Sequence, residues 1–196
     1  MSASVKVPAF MSVDEFMAWE PGDGRAWQLV DGVPEAMAPT NRTHGALQAQ
    51  LGFLLTAHFE RNGSPCSVII TPGVVPHVQA GHNVRIPDLA VTCSPYTDEQ
   101  PLLPNAVLLV EVLSPSNQRE TWSNVWTYTT IPSVREILVL HSAKVQADLL
   151  RRREDGTWPE RPEAVTEGDL ALDCLSFRAP LATLYRTTRL GSQPSA

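Results

Sequence analysis

The chain has 196 residues, 43% of them hydrophobic and 18% charged, with a formal net charge of −6. That length and apolar content suffice for one ordinary domain with its own core, and the composition excludes an intrinsically disordered chain. The negative balance excludes a generically basic nucleic-acid coat protein, though not a local basic groove. No stretch approaches the eighteen consecutive apolar residues of a membrane span.

A single domain is expected over residues 1–196, with its core at about 11–185 and short flexible termini. Met1 to Phe10 carries no apolar run of signal-peptide length. Cys66, Cys93 and Cys174 lie far apart, with no C-x-x-C pair. An odd, unpatterned count reads as buried, reduced thiols, so a soluble cytoplasmic protein is expected.

In chain order, Ser12-Val13-Asp14-Glu15 is a capping box that predicts a helix carrying Val13, Phe16 and Met17 on one stripe and stopped by Pro21-Gly22. Trp27 to Gly32 alternates like a strand and ends on Asp-Gly, a hairpin signal, with Val33 to Met37 returning beside it. Thr40 or Asn41 caps the longest helix, where Leu47, Leu51, Leu54, Leu55 and Phe59 recur at helical spacing up to Asn62-Gly63. Short strands are predicted at Ser67–Thr71, Val74–Val78, Val84–Ile86 and Leu89–Cys93. The segment Ala106–Leu113, AVLLVEVL, reads as a central strand buried on both faces.

Asn117 to Tyr128 is predicted helical, with Asn117 and Glu120 as a second capping box. Ile137–His141 and Val145–Leu150 form a predicted hairpin, and Leu170–Leu184 offers one strand and one helix. Seventeen prolines, well above the usual ~5%, fall singly between short apolar runs. The mixture of helices and strands is that of an α/β protein.

One residue conflicts with its surroundings. Glu111 lies inside AVLLVEVL, where an ionised carboxylate costs several kcal/mol to bury unless a cation compensates it. That cation is either a neighbouring arginine or a metal ion. Asp88 follows Pro87 at the head of the next-earlier strand; such a residue also serves in turns or caps. Two carboxylates at the heads of neighbouring strands can converge, and an oxygen donor set of this kind suits Mg2+ (or Mn2+) completed by water and phosphate.

Gln28-Leu-Val-Asp-Gly32, Met37-Ala-Pro39, His44, Pro87-Asp88, Glu111-Val-Leu-Ser-Pro-Ser116 and Ile131-Pro-Ser-Val-Arg-Glu136 stand in one order and spacing. In these the chain resembles the Uma-two-type restriction endonucleases of the PD-(D/E)XK nuclease superfamily, from about Met11 to Tyr185. The resemblance implies a restriction-endonuclease-like fold, a mixed central β-sheet flanked by helices, and a Mg2+-dependent endonuclease acting on DNA. It implies that Asp88, Glu111 and the carbonyl of Val112 are the metal ligands. His44, Gln28, Glu120 and Asn124 occupy the family's remaining site positions. A homodimer is expected for cutting both strands.

The sequence departs from the family pattern at two of these positions. The superfamily's Glu-x-Lys is here Glu111-Val112-Leu113, and the helix position that carries the lysine in this family is Asn124, four residues after Glu120. The upstream glutamate is here Gln28. Asn124 can orient a water but carries no charge, and the loss of such a group costs about 2–4 kcal/mol in the barrier, by comparison with a single oxyanion donor. The alternative is therefore a catalytically inactive nuclease fold serving as a DNA-binding or protein-interaction module, in which Glu111 meets an arginine such as Arg85. A third reading, a structural homo-oligomer, requires an exposed apolar face around Trp122 and Trp126.

Other constellations carry less. Arg119 is a substitute cation too basic to deprotonate water, and His77 and His82 lack the companions of a zinc site. No G-x-S-x-G or Walker motif is present. Trp122 and Trp126 share a helical face that serves as core, dimer contact or base-stacking platform. Arg151-Arg152-Arg153 is offset by Glu154-Asp155 and reads as a solvated strand end.

Overall fold

The computed structural model describes residues 6–97 and 99–191; of the flexible termini expected from the sequence, residues 1–5 and 192–196 lie outside the described residues. Ser12 opens α1 (Val13–Ala18) with both halves of the capping box formed. The hairpin follows as β1 (Trp27–Val30) and β2 (Val33–Ala36). Its turn residues Asp31 and Gly32 both take positive φ, 49° and 84°, the backbone that matches the twist of tightly joined strands and that glycine adopts without strain.

Asn41 caps α2 (Arg42–Asn62), accepting from the His44 N–H, and Gly63 ends it in the left-handed conformation. Leu47, Leu51, Leu55 and Phe59 are the buried stripe, with Leu54 at its margin. Next come β3 (Ser67–Ile70), β4 (Leu89–Thr92), β5 (Ala106–Leu113), α3 (Gln118–Tyr128), β6 (Glu136–His141) and β7 (Ala147–Arg151). The chain closes with β8 (Glu163–Val165), β9 (Asp169–Leu172), β10 (Phe177–Pro180) and α4 (Leu181–Tyr185).

The main sheet has the order β3-β4-β5-β6-β7-β8. All its neighbours are antiparallel except β5 and β6, which run parallel. A parallel pair needs a crossover, and α3 lies in that connection. The result is the expected α/β architecture with a mixed central sheet flanked by helices.

The pleat of β5 sorts its side chains. Leu108, Val110 and Val112 pack with Leu47, Leu51 and Leu55 of α2 and with α4 and the β9–β10 hairpin. Leu109 and Leu113 face Val125 and Tyr128 of α3. Each fully buried leucine contributes about 1.5–3 kcal/mol, so both helical layers are fixed to the sheet through this strand.

Four sequence expectations are corrected here. The strands predicted at Val74–Val78 and Val84–Ile86 exist only as isolated bridges, Val74 with Arg85 and Val84 with Leu29. A single 3-10 turn at Ala80–His82 and the surrounding prolines and glycines break the ladder. The second capping box does not form. Asn117 has φ −118° and ψ 15°, not the extended backbone of a side-chain cap, and its carboxamide oxygen accepts from the Ser114 N–H and hydroxyl at 2.7 and 2.9 Å. At the carboxyl end there are two strands, β9 and β10, before the short helix, with β8 unforeseen ahead of them.

The cysteines are the fourth. The register sets Ser67 opposite Thr92, which makes Cys66 and Cys93 cross-strand neighbours, and they form a disulfide. Cys174 is free and half-buried. Sequence separation hides what strand pairing brings together, so the thiols give no argument for a reducing compartment. Of the α3 tryptophans, Trp122 packs against the core while Trp126 is 41% exposed, so the two do not share one environment.

Two buried acids on the sheet are fully partnered. Glu136 is 1% exposed. It accepts from Arg151 Nε at 2.6 Å and from the Asp173 and Cys174 N–H groups at 3.1 Å each. Burial pushes the Asp148 carboxyl up, but hydrogen bonds from His141 and Gln146 outweigh it and hold it below the usual carboxylate range.

The disulfide spans a sequence separation of 27, and closing a loop of that length stabilises by about 3 kcal/mol on the chain-entropy account. Replacing Cys66 and Cys93 together by serine is expected to lower stability by about that amount in urea titration. Addition of a reductant to the wild type should reproduce the loss.

Candidate active site

β4 and β5 pair from Thr92 down to Leu89, which lies opposite Val110. Extending that register by one step sets Asp88 opposite Glu111, at the point where the ladder ends. Pro87, which lacks an N–H, precedes Asp88 there and cannot donate to a continued ladder. The two acidic side chains therefore meet at a strand divergence, on the α3 face of the sheet.

Asp88 is 5% exposed, and both its oxygens are held. Oδ1 lies 2.7 Å from His44 Nε2, and Oδ2 accepts from the Val112 N–H at 2.6 Å. The Gln48 side-chain amide donates to the Asp88 carbonyl. His44 is presented by the first turn of α2, its own N–H bound to Asn41 Oδ1 at 2.9 Å. In a strand the N–H and carbonyl of one residue point to the same edge, so Val112 also turns its carbonyl toward the Asp88 side.

Glu111 is 7% exposed. Tyr128 donates its hydroxyl to Glu111 Oε1 at 2.7 Å, and Asn124 Nδ2 reaches the same oxygen at 3.5 Å. Both come from α3, four residues apart and so on one helical face. The Asp88 carboxyl lies within hydrogen-bonding range of Glu111, and among the described residues no arginine, lysine or histidine lies within 4.0 Å of the Glu111 carboxylate. Burial first, and then the Asp88 charge, pushes the Glu111 carboxyl well above the usual range. The Tyr128 hydroxyl is raised too, by burial and by Glu111.

A cleft of about 180 Å³ is lined by His44, Asp88, Glu111, Glu120 and Asn124. Gln28 lies next to it, donating to Glu120 Oε1 at 3.2 Å. Glu120, free of any capping role, is shifted upward by burial and by Glu35, against the pull of Arg85. Five of the sequence-derived side chains thus share one cleft, Gln28 touches it through Glu120, and Val112 contributes its backbone. Gln28 is 1% exposed, and its Oε1 is buried without a partner.

Tyr128 and Gln48 are site residues that sequence reasoning missed. For Tyr128 the signal was its position four residues beyond Asn124; for Gln48 it was its place one helical turn after His44. His77 and His82 build no metal centre: among the described residues no group of three or more His, Cys, Asp or Glu is arranged to hold an ion. Two carboxylates with room for water are a donor set of the magnesium type, which leaves several positions to solvent and substrate.

Comparison with known proteins agrees with this architecture. A relative from Synechocystis sp., "Uncharacterized protein slr1290", is 27% identical over 150 residues, covering 76% of this chain and 77% of its own. A crystal structure described as that of "a putative nuclease belonging to DUF820" from Anabaena variabilis superposes with a TM-score of 0.73. That likeness covers 89% of this chain and 97% of the other at 12% identity, and it speaks to the fold alone. The model of the family Uma2, described as "Putative restriction endonuclease", matches residues 13–182. Carrying a match over well more than half its length, the chain belongs to the Uma2 family.

Proposed function

We propose that the protein is a Mg2+-dependent endonuclease that hydrolyses DNA phosphodiester bonds, with Asp88, Glu111 and the Val112 carbonyl holding the ion. The observation that carries this reading is Glu111: a buried carboxylate beside a second carboxylate, lining a cleft, with no protein cation paired to it among the described residues. Glu136 and Asp148 show how this fold treats a structural acid, with a cation or a full set of donors.

The inactive-module alternative has Glu111 meeting an arginine such as Arg85, and no arginine pairs with it among the described residues. An ion held by Asp88, Glu111 and the Val112 carbonyl would supply water activation and charge neutralisation at the scissile phosphate. The chain's own groups supply orientation. His44 and the Val112 N–H fix the Asp88 carboxylate, and Tyr128 and Asn124 hold Glu111 by one oxygen, beside the Asp88 carboxyl. Glu120, shifted upward at the edge of the cleft, is placed to hold or accept a proton. Asn124 orients without charge, so the proposed enzyme is a slow one.

Calorimetric titration with Mg2+ or Mn2+ is expected to show binding to the wild type, weakened at least ~10-fold in Asp88→Ala and Glu111→Ala, with plasmid cleavage lost in parallel. Equal behaviour of all three proteins would remove the metal site. Asn124→Lys, which restores the family residue, is expected to speed cleavage by ~10-fold or more.

Glu111 also dictates a pH dependence of stability. Its folded-state pKa lies above its ordinary value of 4.5, so the folded state binds more protons than the unfolded state above that pH, and stability falls as pH rises. In chelator-treated protein Glu111→Gln is expected to raise stability at pH ~8. Its advantage should shrink as the pH falls toward the ordinary carboxylate range. Denaturant midpoints measured across pH check both the sign and the slope.

A further inference from the structure

Beside the carboxylate cleft lies a second one, of about 360 Å³, lined by Gln28, Glu35, Arg85, Arg119, Glu120 and Asn124. Glu120 and Asn124 belong to both. Arg85 is unusual within it. Its backbone is pinned by reciprocal hydrogen bonds with Val74, at 2.8 and 2.9 Å, and the residue is only 3% exposed. Its Nε is buried with no partner. Among the described residues no carboxylate lies within 4.0 Å of the guanidinium.

An arginine is rarely buried without a counter-charge, and a guanidinium carries five donors in a planar fork that matches oxyanions. Glu35 and Glu120 stand in the same cleft and act on Arg85 by charge, without pairing with it. Arg119, on the wall of the same cleft, adds a second cation.

We infer that Arg85 is the anchor of a phosphate-oxyanion site, assisted by Arg119 and set against the carboxylate cleft so that one phosphate group can lie between them. This deepens the nuclease reading and rests on it for the identity of the occupant, a phosphodiester of the nucleic-acid backbone. Free phosphate offers the same oxygen chemistry. The unpaired burial of Arg85 is then the cost of keeping a guanidinium preorganised for an incoming anion. In this position Arg85 supplies part of the positive charge that the missing lysine would have provided, although it cannot act as a base.

The test is thermal unfolding of the full chain with inorganic phosphate in Mg2+, alongside binding of a short DNA duplex in Ca2+, for the wild type, Arg85→Gln and Arg85→Lys. Without ligand, Arg85→Gln is expected to melt at or above the wild-type temperature, because it removes an unpaired buried charge. Phosphate should raise the wild-type Tm by about 2 °C or more and leave Arg85→Gln unmoved, and duplex affinity should fall ~10-fold or more in that variant. Arg85→Lys should fall between them, since it keeps the charge and loses the fork. Response to duplex alone would identify the nucleic-acid backbone as the occupant, and response to phosphate alone would identify the free ion.

A ligand-free Arg85→Gln that melts well below the wild type, or does not fold, would overturn the inference by making Arg85 a structural partner of Glu35 or Glu120. Undiminished binding of both probes to that variant would overturn it as well. Metal titration of Glu111→Ala judges the nuclease reading separately: its failure there would leave an Arg85-dependent anion site standing.

Discussion

A carboxylate inside an eight-residue apolar strand has to be neutralised, and the fold is built around how that is done at Glu111. The sheet contains two other buried acids. Glu136 takes an arginine and two backbone N–H groups, and Asp148 takes a histidine and an amide. Glu111 takes a tyrosine hydroxyl and an amide on one oxygen, and has a second carboxylate for a neighbour. Desolvation and like charge push in the same direction there, so the protein keeps at this point an electrostatic cost that it removes elsewhere. Such a concentration of unfavourable terms in a cleft is a feature of functional sites.

What holds that arrangement in place is ordinary secondary structure. The α2 cap at Asn41 sets His44, the backbone of Val112 fixes Asp88, and one face of α3 carries Asn124 and Tyr128 to Glu111. The groups that face the cleft are thus mounted on strands and helices that the two cores lock together. Adjacent to them, Arg85 and Gln28 show the same pattern with opposite chemistry, polar atoms buried and left unpaired. Of two neighbouring clefts, one is lined by Asp88 and Glu111 and the other by Arg85, Arg119 and Glu35, and Glu120 and Asn124 stand in both.

Much of this was legible from the residues. AVLLVEVL is so apolar that Glu111 stands out without any knowledge of the fold, and Asn41, Gly63 and Asp31-Gly32 state their local geometry directly. The helical spacing of Leu47, Leu51, Leu55 and Phe59 gave the face of α2. What could not be read was whatever depends on tertiary register. Cys66 and Cys93 are adjacent only because β3 and β4 pair. Asn117 looks like a cap until its backbone angles are known. Val74 and Val84 have strand composition but sit where the chain turns too soon to form ladders. Glu136 drew no attention as a buried acid because its partners, Arg151, Asp173 and Cys174, come from distant segments.

The meeting of Asp88 with Glu111 depends on phase, not on distance along the chain. Between the two strands runs the segment 93–105, whose length sets neither side chain's direction. Within β5, by contrast, the pleat alternates with every residue. Insertion of one residue between Ala106 and Val110 would carry the acidic group through the sheet into the leucine layer of α2 and bring a valine into the cleft. The connecting loop can accordingly be lengthened or shortened without turning either acid, while a single-residue indel in the strand would separate the two acids completely.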